Sequence, residues 1–229
     1  GYFAFTRKAA NEAKERMLKL YPHYSYRDLK SFQTLHSLAF KTLGMKKESV
    51  MQPENYEEVG EAVGIEVTVY KGGTEETGYI DSDSEYFNLI NTARIKNRTL
   101  KEEYDTDLYS DDLEYNFLEI IEKELKNYKN SFKLKDYTDM IEEFIVSNLC
   151  PTFDVVFIDE AQDLSPIQWK MYDLLKQNSK IVILAGDDDQ AIYGWAGADV
   201  KTFQNISAKK DIILPQSFRV PGRVQRIAN

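Results

Sequence analysis

The sequence contains a single cysteine, Cys150, among its 229 residues. One thiol forms no intrachain disulfide and leaves neither of the common zinc-cluster patterns open. Long apolar runs are also missing. The longest, such as Val155 to Ile158 and Ile181 to Ala185, cover a handful of residues, far short of the roughly 20 that span a bilayer. No basic-then-apolar signal segment stands at the start, and neither a repeat nor a low-complexity linker occurs. None of the 11 glycines is followed by lysine, so the sequence contains no Walker A phosphate loop. A reducing, cytosol-like compartment is the expected setting.

Hydrophobic residues at 42% and charged residues at 29% are ordinary for a folded protein and argue against wholesale disorder. The length suits one large domain or two small ones. The net charge of −9 is unevenly spread. Residues 1–47 carry ten Lys/Arg against three Asp/Glu, whereas residues 48–145 carry ten against twenty-five. Residues 146–229 are nearly balanced, at nine against ten. Such asymmetry predicts segments with separate jobs. The acidic middle reads as a solvated helical surface.

Tyr2 to Phe5 is short, aromatic and bounded by Thr6, which predicts a buried strand followed by an N-capped helix. Ala9, Ala13, Met17 and Leu20 would form the inner face of that helix. A second helix is expected from Leu35 to Leu43, ending at Gly44. In the middle, Leu113, Phe117, Ile120, Ile121 and Leu125 keep helical spacing, as do Met140, Ile141, Phe144, Ile145 and Leu149. Residues 65–80 alternate, as a small hairpin or a loop would. From Phe153 the pattern becomes strand–helix–strand. Val155 to Ile158 reads as a strand buried on both faces, Ser165-Pro166 as a helix start, and Ile181 to Ala185 as the next strand. Ile212 to Leu214 is expected as a third strand and Gly222 to Ala228 as a last helical turn. Together these predict an α/β fold: a parallel sheet flanked by helices, formed by residues 1–47 and 147–229. Residues 48–146 form a mostly helical acidic insertion.

Chemistry is expected where strands end. Asp159-Glu160 follows an apolar strand, at the carboxyl edge where open α/β folds place ligands. A carboxylate there suits Mg²⁺ on a nucleotide's phosphates, and its neighbour suits activation of a water. The run continues as Asp159-Glu160-Ala161-Gln162-Asp163. After the next strand comes Gly186-Asp187-Asp188-Asp189-Gln190, followed by Tyr193 and Trp195 among glycines. Gln190 can touch both a phosphate and a water, while the two rings suit base stacking. A core plug is the alternative reading for either ring, more so for Tyr193.

Taken together, these segments resemble the UvrD/Rep-like superfamily 1A DNA helicases. Ala4-Phe5-Thr6-Arg7-Lys8-Ala9-Ala10 is similar to motif Ia and Thr34-Leu35-His36-Ser37 to motif Ib. Asp159 to Asp163 resembles the Walker B motif II, Gly186 to Asp199 motif III, and Gln216-Ser217-Phe218-Arg219 motif IV. The resemblance implies a RecA-like first motor domain with an inserted subdomain, part of an ATP-dependent enzyme that translocates on single-stranded DNA and unwinds duplexes. It implies ATP and Mg²⁺ as cofactors. Asp159 would hold Mg²⁺, Glu160 would activate the hydrolytic water, and Gln190 and Arg219 would contact the γ-phosphate. Phe218 would stack on adenine. Phe5, Thr6, Thr34, His36, Tyr193 and Trp195 would meet DNA, with single strands and single/double-strand junctions as partners.

Three positions depart from the family pattern. Ala196 stands where relatives commonly have Arg, Arg7 where they have Asn, and Val220-Pro221 where they have Ser-Thr. An upstream P-loop segment and a second motor domain are expected as further parts of one longer chain, in whichever cytoplasm-like compartment holds the DNA. Two other readings stay open from the residues. One is an ATPase-inactive single-strand-binding relative. The other is a metal-dependent nuclease built on Asp159, Glu160 and Asp187 to Asp189.

Overall fold

A computed structural model of the chain describes residues 1–70, 79–106 and 112–214. Four parallel strands form one sheet in the order β2-β1-β3-β4. They are β1 (Tyr2–Phe3), β2 (Phe32–Gln33), β3 (Phe153–Ile158) and β4 (Ser179–Leu184). Strands from both ends of the sequence are thus neighbours: Phe3 pairs with Gln33 on one side and Ile158 on the other. Every parallel pair needs a crossover. The one between β2 and β3 has been expanded into an extra helical subdomain.

Helix α1 (Arg7–Leu20) starts as expected, with the Thr6 Oγ1 accepting from the Ala9 amide at 3.0 Å. Its buried stripe is narrower than the spacing predicts: Ala10 is buried and Leu20 is 71% exposed. Helix α2 (Leu35–Thr42) is capped by Thr34, whose Oγ1 accepts from the Ser37 amide. Gly44 follows at φ +62°, the left-handed region glycine enters freely. The insertion contributes α3 (Pro53–Val63), α4 (Glu85–Ile95), α5 (Leu100–Tyr104), α6 (Tyr115–Phe132) and α7 (Tyr137–Ser147). Helix α8 (Pro166–Gln177) joins β3 to β4, and α9 (Val200–Gln204) follows β4.

Two cores result. One gathers Phe3, Val156 and Ile158 of the sheet with Leu35 and Leu38 of α2, Met140, Ile141 and Phe144 of α7, and Met171 and Leu175 of α8. The other lies wholly in the insertion, around Val59, Phe87, Leu89, Leu118 and Ile121. Helix α7 therefore lies in the insertion by sequence but packs with the sheet. Arg94 of α4 clamps it there, bonding Asp136 and Asp139 at 2.6 Å each, and Lys129 of α6 reaches the same two carboxylates. Burial opposes ionisation of Asp136, but Arg94 and Lys129 outweigh it and hold that carboxyl below its usual range.

Four expectations are corrected. β3 and β4 are covered on one face, while Phe157, Ile181 and Ile183 on the other are 42–54% exposed. The covering helices pack where Val156 and Ile158 point, and alternation puts their neighbours opposite. Ile212 to Leu214 forms no strand and is exposed, because no described segment offers it a partner. Ile120 and Leu149 are exposed too, outside the stripes of α6 and α7. Residues 65–70 and 79–83 form no regular hairpin: a lone antiparallel bridge joins Val69 to Ser82. The expected turn at Gly222 to Ala228 lies outside the described residues.

Candidate active site and nucleic-acid interface

The acidic run sits at the carboxyl edge of the sheet, as expected for a strand–loop motif. Asp159 follows β3 directly, and both its carboxylate oxygens are positioned. Oδ2 accepts from the Tyr2 hydroxyl at 2.5 Å and Oδ1 from the Glu160 amide at 3.1 Å. Tyr2 is itself stacked on Phe32 of β2, 5.1 Å between centroids. Glu160 adopts φ +54°, ψ +43°, a left-handed conformation that costs a non-glycine residue of order 1 kcal/mol or more and clusters at functional sites. The turn that follows, Ala161–Asp163, is a 3-10 helix.

Gln162, fully buried, ties this loop to the next one. Its Nε2 donates to the Glu160 carboxylate at 2.9 Å, and its Oε1 accepts from the Asp187 amide at 3.1 Å. Gly186 permits that approach: a Cβ there would lie 2.6 Å from the Gln162 oxygen. Asp163 stands beside Glu160 with one oxygen buried and unpartnered. Burial and the Glu160 charge push its carboxyl up to about 6.

In the loop after β4, Asp187 accepts from the Asp189 amide and from the Gln190 side chain, and Asp188 accepts from Gln204 at 2.7 Å. These carboxylates fix the loop. Among the described residues no three His, Cys, Asp or Glu side chains converge as a metal cluster, which leaves the nuclease reading without a centre. Mg²⁺ on a nucleotide asks less of the protein, one or two carboxylates with phosphate and water oxygens completing the shell. Asp159 fits that demand, with both oxygens oriented and lone pairs to spare. Bound there, the ion would neutralise phosphate charge. A cradle for phosphates or adenine has no candidate among the described residues, and Gln216 to Arg219, including Phe218 and Arg219, lies outside them.

Three rings run along the adjoining surface. Phe5 packs on Tyr193 at 4.9 Å, and Tyr193 on Trp195 at 6.2 Å. Phe5 is 6% exposed and Trp195 63%, so the row rises from the sheet into solvent. Tyr79, from the insertion, meets the Trp195 edge at 5.3 Å. Gly197, at φ +90° with Ile95 against it, turns the chain after this platform.

Thr6, Thr34 and His36 are placed differently. The two threonines are N-caps. His36 is buried, edge-on to Tyr137 of α7 at 5.7 Å. Burial, then Arg7, lowers its pKa to about 4 against a weaker pull from Asp136. It is neutral at pH 7. Even so, Phe5, His36 and Asp159 line one small internal cavity, so the acidic end and the aromatic end share a wall. Tyr2 and Gln162 were not singled out by sequence. The Gln162 signal was its place inside the acidic run.

The family described as UvrD/REP helicase N-terminal domain matches residues 2–211. A protein named "Probable DNA helicase" from Mycoplasma pneumoniae is 26% identical over 253 residues, covering 99% of this chain and 45% of its own length. ATP-dependent DNA helicase Rep from Buchnera aphidicola is 25% identical, covering 98% and 34%. ATP-dependent DNA helicase PcrA from Leuconostoc citreum is 24% identical, covering 98% and 31%. The chain spans less than half the length of these relatives.

Proposed function

Because the chain belongs to the UvrD/REP helicase N-terminal domain family, we propose that it forms the first motor domain and insertion of an ATP-dependent DNA helicase. In this reading it supplies the water-activating half of the nucleotide site and part of a single-strand track. The rest comes from a P-loop segment and a second motor domain of a longer chain. Asp159 holds Mg²⁺, Glu160 takes the proton of the attacking water, and Gln190 contacts the γ-phosphate, with Phe218 and Arg219 completing the nucleotide contacts. Phe5, Tyr193 and Trp195 stack on bases, with Thr6, Thr34 and His36 shaping the track beneath them. ATP turnover would drive translocation on single-stranded DNA and opening of duplexes at junctions, in the compartment that holds the DNA.

One observation carries the reading. Gln162 joins the Glu160 carboxylate to the backbone of the loop that presents Tyr193 and Trp195. A rearrangement at the hydrolytic end is thereby tied to the aromatic surface. Coupling of that kind is what a translocating motor needs. In a metal-dependent nuclease it would have no role.

The test uses the full-length protein. Glu160→Gln should bind nucleotide normally and lose DNA-stimulated turnover by roughly 10²–10⁴, the usual worth of a positioned general base. Asp159→Ala should instead weaken Mg²⁺-nucleotide binding. Turnover at the parent rate in Glu160→Gln would remove Glu160 from the chemistry.

A further inference from the structure

A cleft of about 610 Å³ opens where α2 of the sheet domain faces the insertion, a size in the usual range for ligand sites. Its charged lining consists of three cations, Arg7, Lys41 and Lys47, against one carboxylate, Glu48. In a chain of net charge −9 this is a local reversal of sign. Two rings, Phe40 from α2 and Tyr137 from α7, stand on its walls. The Lys41 ammonium reaches the neutral Gln33 Oε1 at 2.5 Å. Burial and then Lys14 pull its pKa below the ordinary lysine value. A cation held beside other cations gains most from an anionic ligand.

We propose that this cleft is a second nucleic-acid subsite, taking a nucleotide of the single strand with its phosphates on Lys41 and Lys47 and its base against Phe40 and Tyr137. The inference rests on the single-strand reading above and adds to it a path into the seam with the insertion, away from the Trp195 platform. Thr34 and His36 line the same cleft. Their burial is then consistent with a shaping role, while the solvent-facing cations make the contacts. Stacking serves any base, so the subsite reads the backbone and not the sequence.

The experiment is a salt titration of fluorescein-labelled oligo-dT binding, by anisotropy, to the purified chain. Each phosphate neutralised on a single strand contributes about −0.7 to the slope of log K against log salt. Lys41→Ala with Lys47→Ala should flatten the slope by about 1.4, and Lys41→Arg with Lys47→Arg should restore it. Lys126→Ala, on the far side of the insertion, should leave it unchanged. Circular dichroism melts verify that the variants fold, as substitution of exposed lysines permits. An unflattened slope in a variant series where Trp195→Ala still weakens binding overturns the subsite and leaves the motor reading standing. Competition by free dTMP, lost in the double-alanine variant while the oligomer slope holds, would make the cleft a mononucleotide site and also overturn it. No binding of oligo-dT by the parent chain at low salt removes the single-strand reading and the subsite with it.

Discussion

Trp195→Ala separates a base-stacking ring from a core ring, and the structure fixes what each outcome costs. The ring is 63% exposed and touches Tyr79 and Tyr193 at its edges. About a third of a side chain worth ~250 Å² is therefore covered, which at ~25 cal/mol/Å² amounts to about 2 kcal/mol of folding stability. A fully buried aromatic would cost about 3–5 kcal/mol with its cavity. Binding responds differently. Losing one base–aromatic stack removes about 1–3 kcal/mol, or a roughly 5- to 150-fold weaker Kd for oligo-dT. The assay is intrinsic fluorescence at low salt, where phosphate contacts are strongest. The chain has two tryptophans, and Trp169 is buried with its indole N–H on the Asp199 carbonyl. DNA should therefore quench the solvent-exposed, red-shifted part of the emission, and Trp195→Ala should abolish that quench while keeping the Trp169 signal. Full affinity and an intact quench in the variant would refute the stacking role.

Three further outcomes follow from the buried polar groups. The His36 pKa of about 4 lies below its unfolded value of 6.5, so the unfolded chain binds the proton more tightly and stability falls as pH drops from about 6.5 to 4. The loss is on the order of 3 kcal/mol, and His36→Gln should flatten that limb of a pH series of urea melts. Asp163 has the opposite sign: raised to about 6 from 3.8, it destabilises the fold as pH rises through that window, so Asp163→Asn should melt higher than the parent at pH 8 and no higher at pH 3. Gln162→Ala strands the Asp187 amide and the Glu160 carboxylate, costing about 1–3 kcal/mol for the buried unpaired group. Thermal melts at pH 7 read this directly, and an unchanged midpoint would mean water replaces the amide.

Local rules made much of the fold legible in the sequence. Thr6 caps α1 and Ser165-Pro166 opens α8 because capping depends on neighbours a few residues away. The apolar runs that became β3 and β4 were equally plain. What escaped depends on distant partners. β2 is two residues, Phe32–Gln33, too short to carry a period, and exists because β1 offers it an edge. The exposed sheet face at Phe157, Ile181 and Ile183 escaped for a related reason, since a continuous apolar run carries no mark of which side is covered.

The site divides along the same line. Asp159 and Glu160 were legible because a carboxylate pair after an apolar strand has a position as well as a composition. Their supports were not. Tyr2 lies 157 residues from the Asp159 it bonds, and Gln162 lies 25 from Asp187. His36 is the clearest case. Its motif suggested a surface contact, but α7 returns from the insertion, held by Arg94 and Lys129 on Asp136, and lays Tyr137 against the imidazole. That buried ion cluster, within the acidic stretch that reads as mere solvated surface, sets the protonation state of a motif residue on another element. The insertion therefore does more than hang from the motor domain: by docking α7 it fixes the electrostatics beside the expected DNA path, and loosening the cluster at Arg94 would reach His36 without touching it.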